Sequence, residues 1–256
     1  MHPPRSPIYD FAIIDFGYLS LQYSLFRYSN NSCRTLSHVY TEEISGKLID
    51  DVLLDYFMKQ IKPQWISDMQ KYEPTFFNPS NPQQTHDGTP IEQCKDFVDL
   101  TKRVRAKVIK MKELISQAPS VPETVEIIPS TTVAEIVLTE DTFTKLFSER
   151  IWNSLYVCKV CAEKIAQDYL PQLCYDPKKR KAQFPPLNLQ RIYLTGRSSK
   201  LQLFNTILRR IVNPRLILSG SYLHLNVTLF FFRTPGWPST GCQNFSRTWL
   251  WILCKL

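Results

Sequence analysis

Glycine is scarce here: seven residues in 256, well under half the usage of about 7% typical of globular chains. A protein that wrapped phosphates in several glycine-rich loops would need more, so such an architecture is excluded. Three of the seven, Gly17, Gly46 and Gly196, nevertheless stand at strand ends or at turns before helices, where a ligand-binding role would place them. Cysteine offers no framework either. Seven is an odd number, the spacings do not repeat, and the close pair Cys158 and Cys161 has no second pair at metal-ligand distance, which argues against a disulfide scaffold and a zinc site. The four histidines are scattered and no nucleophile lies near a base, so no catalytic residue and no metal ligand is assigned. The first seven residues lack the apolar core of a signal peptide, so a reducing, cytoplasmic location is expected. The longest apolar run, residues 216–232, is interrupted by Ser219, Gly220, His224 and Asn226. At about the minimum length for a span, it makes a membrane segment an unfavoured reading.

What is present is an ordinary apolar fraction, 43%, and a formal charge of +8. The first rules out disorder throughout; the second favours acidic partners without saying anything about fold. Much of the excess comes from Lys102 to Lys112 and Lys178 to Lys181. Neither run is interleaved with aromatics as a single-strand nucleic-acid platform would be, so nucleic acid is not expected as a partner.

The chain begins as a β-meander, with strands at residues 8–15, 20–28 and 33–40 and a turn at Phe16-Gly17-Tyr18-Leu19. From Lys47 the period changes to helical: Leu48, Ile49, Val52, Leu53, Tyr56, Phe57 and Ile61 share a stripe, which Pro63 is expected to end. Residues 63–90 are rich in Pro, Asn and Gln and read as a mobile, aperiodic insertion. A second helix at 91–116 carries the stripe Cys94, Phe97, Val98, Thr101, Val104, Val108, Met111 and Ile115, with its cations on the other face, read as a solvated surface. Residues 121–128 and 132–138 are β-branched and form a strand pair; Thr139 then caps a helix with two acids in its first turn. After a polar, basic loop at 176–186, residues 190–210 read as strand, tight turn at Thr195-Gly196, and helix. Such a turn can hold a polar or anionic ligand at a helix N-terminus. Beyond Asn213-Pro214 the pattern loses both periods, and residues 214–256 are expected to form a tail foreign to the domain. The fold class is therefore α/β, with a mixed β-sheet flanked by helices across residues 8–213, preceded by a short tail at 1–7.

This order resembles the second lobe of the nucleotide-binding domain of the Hsp70 and Hsp110 chaperones, within the actin-like ATPase superfamily. The family's phosphate turn, Asp-Leu-Gly-Gly-Gly-Thr-Phe-Asp, is similar to Asp15-Phe16-Gly17-Tyr18-Leu19-Ser20-Leu21-Gln22. Asp15 and Gly17 match and Ser20 stands for the threonine, whereas Tyr18 and Leu19 put side chains where close backbone approach needs none. Its Gly-Gly-Glu-Asp-Phe-Asp segment resembles Ser45-Gly46-Lys47-Leu48-Ile49-Asp50, and its adenosine turn resembles Gly196-Arg197-Ser198-Ser199-Lys200. The resemblance implies a nucleotide site drawn from Asp15, Gly17, Ser20, Gly46, Asp50, Gly196, Ser198, Ser199 and Lys200. Lys110, on the basic helix, corresponds to the family's clamp on adenine. Nucleotide in this superfamily lies between two lobes. The resemblance therefore implies half a site, holding ATP or ADP with magnesium weakly or beside a first lobe or other protein partner, without autonomous hydrolysis. A scaffold that has lost the nucleotide is the alternative. The Thr-Gly-Arg-Ser-Ser wording also resembles the SrfB virulence-factor family, which shares the superfamily fold.

Overall fold

The computed structural model describes residues 8–29, 32–129, 131–171 and 186–218. β1 (Tyr9–Phe16), β2 (Leu21–Ser29) and β3 (Ser32–Thr41) form the antiparallel meander. Every second residue of β1, Ala12, Ile14 and Phe16, sits opposite Leu25, Tyr23 and Leu21 of β2, and all six are fully buried. That alternation puts one face of the sheet in the core.

α1 (Gly46–Tyr72) does not stop at Pro63. A proline inside a helix costs about 3 kcal/mol. The stripe that holds Ile61 continues past it through Trp65 and Met69, all buried, and burying two large apolar side chains returns about 1.5–3 kcal/mol each. Trp65 meets Phe76, Phe77 and Phe97 edge-on at 6.0, 5.9 and 5.1 Å between ring centres. The segment read as an aperiodic insertion thus holds the last part of α1 and the hairpin β4 (Phe77–Asn78) with β5 (Asn81–Thr85).

α2 (Lys95–Leu114) buries Phe97, Leu100, Val104, Val108 and Met111. It packs on α1 and on β6 (Ser120–Ile128), which pairs with β7 (Thr132–Thr139) as an antiparallel hairpin. α3 (Glu140–Tyr169) starts where its sequence signal lies: the Thr139 hydroxyl accepts from the Thr142 amide at 3.1 Å. It runs across β2 and β3 and returns the chain to β8 (Leu189–Thr195).

β8 lies parallel to β1, with Asp15 opposite Thr195. α4 (Gln202–Ile211) follows, packing on α3 and setting Phe204 against Phe16 at 4.9 Å. β9 (Ile217–Leu218) then adds parallel to β8. The sheet order is β3-β2-β1-β8-β9, a mixed sheet in an α/β protein. β9 carries the sheet past the expected boundary at 213, with Leu216 and Ile217 packed against the core. The remainder of the C-terminal segment, residues 176–185 of the basic loop and residues 1–7 lie outside the described residues.

Candidate functional site

Three turns meet at one end of the sheet. β1 and β8 are parallel neighbours, yet the chain leaves β1 toward β2 and leaves β8 toward β9. The strand order therefore reverses between them, and their carboxyl ends carry Gly17 and Gly196. In open α/β sheets such a reversal is where ligands bind. The N-terminus of α1 completes the junction, its Gly46 and Lys47 amides donating to the carbonyls of Gly17 and Tyr18 at 3.0 and 2.8 Å.

The close packing explains two glycines directly. Gly196 has φ +83, and a Cβ there would overlap the Phe16 carbonyl oxygen and stand 2.5 Å from Asp15 Oδ1. A Cβ on Gly46 would lie 2.8 Å from Ser198 Oγ and 3.3 Å from the Gly17 carbonyl oxygen. Asp15, Gly17, Gly46, Gly196 and Ser198, drawn from three distant stretches, thus form one cluster. Ser199 is beside it, its hydroxyl donating to the Gly196 carbonyl at 2.7 Å. Ser20 closes the first turn through its carbonyl, which accepts from the Gly17 amide at 3.0 Å. Its hydroxyl accepts from Gln22 Nε2 at 3.0 Å. Arg197 and Lys200 are exposed on the rim, as are Tyr18 and Leu19.

Two carboxylates sit at this junction in poor solvent. Burial pushes the Asp15 carboxyl above its ordinary value of 3.8, against a hydrogen bond with the Thr195 side chain. Asp50, one turn into α1, is 1% exposed, and burial raises it too, opposed by Lys112. Lys112 Nζ lies 2.5 Å from Asp50 Oδ1 and donates to the Gly46 carbonyl at 3.2 Å.

Lys112, therefore, and not Lys110, brings the charge of α2 to the glycine turns. Lys110 is directed elsewhere: it ion-pairs with Glu123 of β6, which Lys107 also meets at 3.0 Å. The rest of the basic face is similarly matched. Arg105 holds Asp51 at 2.8 Å, Lys102 holds Asp99 at 2.9 Å, and Arg103 donates to the Glu126 and Ile127 carbonyls. Asp99 is a neighbour on the same helix, whereas Asp51 and Glu123 were invisible as partners in sequence because they lie on α1 and β6.

The arrangement is better suited to a ligand on its Gly196–Lys200 side than at the helix end. The first amides of α1, which would be the anion donors, already donate to Gly17, Tyr18 and the Ser45 hydroxyl. At the junction Gly196, Arg197 and Lys200 are exposed, whereas Gly46, Ser198 and Ser199 are buried. The cavity between the ends of α2, α3 and α4, lined by Ile115, Ser116, Glu140, Phe143, Gln202 and Leu203, is about 10 Å³. That is room for one water at most, far below the roughly 300 Å³ of a small-molecule pocket. Among the described residues, no group of three His, Cys, Asp or Glu could hold a metal ion, and no helix is long and apolar enough to cross a membrane. No protein-family model matches the chain, and no curated protein matches it in sequence.

Proposed function

We propose that this chain is a single nucleotide-binding lobe of the actin-like, Hsp70-related kind, degenerate on its phosphate side and offering half a site. The observation that carries this reading is the meeting of the β1 turn, the α1 N-terminus and the Gly196 turn where the order of the sheet reverses. On this reading Gly196, Ser198, Ser199 and Lys200 would hold the adenosine end. Asp15 and Ser20 would face the phosphates and magnesium, whose charge a first lobe or another protein partner would help to bind. The residues fit such a ligand in part. The Gly196 turn and the exposed Lys200 remain open to it, whereas the α1 amides do not. Hydrolysis by this lobe alone is not part of the proposal.

The test is thermal unfolding of the full chain with and without magnesium and ADP or ATP. Binding to the folded state raises the transition by linkage, in proportion to the logarithm of ligand over Kd. Lys200→Glu should remove most of that rise while leaving the ligand-free transition where it was. A second reading, an interaction scaffold that has lost nucleotide, is favoured by the α1 amides being satisfied within the protein. A cooperative transition that nucleotide leaves unmoved, at every attainable concentration, selects it.

A further inference from the structure

α3 buries Phe147, Ile151, Leu155, Cys158 and Ala162 along one side, against β2, β3 and α4. The opposite side of a surface helix is ordinarily polar. Here it carries Trp152, Tyr156, Val157 and Val160 within about two and a half turns, with Tyr156 and Val157 51% and 55% exposed. Apolar side chains grouped in this way mark an interaction surface.

The charges at the ends of the strip say what fits it. Glu149 stands seven residues before Tyr156, and Lys164 stands seven residues after Val157; both are exposed. A second α3 laid antiparallel, about a two-fold axis between Tyr156 and Val157, therefore meets Glu149 with Lys164 of the partner subunit at both ends. Trp152, Tyr156, Val157 and Val160 are closed between them. A parallel copy would set like charge against like, which disfavours it. The arrangement is isologous, one patch serving both subunits. We propose that the outward face of α3 is a dimerisation surface whose partner is a second copy of this chain running antiparallel. The inference uses no residue of the glycine junction and stands independently of the nucleotide reading.

Sedimentation of the full chain over a range of concentrations tests it, with melting temperatures measured beside. A reversible monomer–dimer equilibrium is expected. Val157→Glu would bury two charges about the axis and should abolish the dimer without changing the melting of the monomer. Glu149→Lys and Lys164→Glu should each raise the dimer Kd about tenfold, through two like-charge contacts per dimer, and the double exchange should restore it. A chain that stays monomeric throughout, or forms a ladder of larger species, overturns the proposal. So does a dimer indifferent to Val157→Glu, or a double exchange that fails to rescue.

Discussion

The meander and the outer face of α2 both rely on ion pairs, but in opposite surroundings. Within the meander, Arg27 grips Asp10 through Nε and Nη2, both at 2.7 Å, and the Asn188 amide adds a third hydrogen bond to the carboxylate at 2.9 Å. Both residues are under 5% exposed. On α2, Lys102, Arg105, Lys107 and Lys110 meet their acids with much of each cation in water. The difference teaches where charge matters to this fold: a desolvated charge must keep its partner, whereas a solvated one has water to turn to.

The sharpest way to break that contrast is Asp10→Ala. It takes the carboxylate away from a buried guanidinium and should cost about 3–5 kcal/mol in chemical denaturation. Replacing both partners, Asp10→Leu with Arg27→Met, should recover most of the loss. Next in size is Gly196→Ala. A left-handed backbone costs a substituted residue about 1–3 kcal/mol, and here the new Cβ also overlaps the Phe16 carbonyl. Gly46→Ala should cost clearly less, since its tightest neighbour is the rotatable Ser198 hydroxyl. Thr139→Ala removes the cap of α3 and should lower stability by about 1 kcal/mol. Lys110→Ala, on the solvated face, should cost about 0–1 kcal/mol and nothing at high salt.

Titration extends the comparison. The Asp15 carboxyl is raised by burial, so charging it works against folding. As pH rises from about 4 through its folded value, the parent should lose stability relative to Asp15→Asn, and the gap should close again in acid. Glu123 is lowered by Lys110 and then Lys107. Its contribution is therefore present above its ordinary value of 4.5 and lost as pH falls through the folded one. Glu123→Gln should accordingly differ from the parent at neutral pH and converge with it in acid. Paired melting curves from about pH 2 to 7 would show the two variants diverging from the parent in opposite directions as pH rises.

Much of the fold could be read locally. The alternation in β1 and β2, the Thr139 cap and the α2 stripe are patterns within a few residues of one another, and each lies where its pattern predicts. Pro63 misled because the local penalty is smaller than the burial of Trp65 and Met69 beyond it. The hairpin at Phe77 and the strand at Ile217–Leu218 were missed for a related reason. β4 and β9 have two residues each, too short to carry a period, and β5 is a mostly exposed Asn-Pro-Gln-Gln-Thr run with no apolar alternation, so all three are held by their neighbours. At the candidate site, Gly17, Gly46, Gly196 and Ser198 were each marked by turn chemistry, but Lys112 was not, because its partner Asp50 is distant in the chain.

By itself the sequence determined the longer strands, the starts of the helices and the three glycine turns, since helix period, strand alternation and turn residues act over distances shorter than one element. Tertiary structure decided which strands became neighbours, and so that β1 and β8 end side by side with their turns in contact. It also decided which charges lost their water: Asp10, Asp15 and Asp50 are ordinary aspartates in the chain, and only packing makes one a clamp and the other two reluctant to ionise.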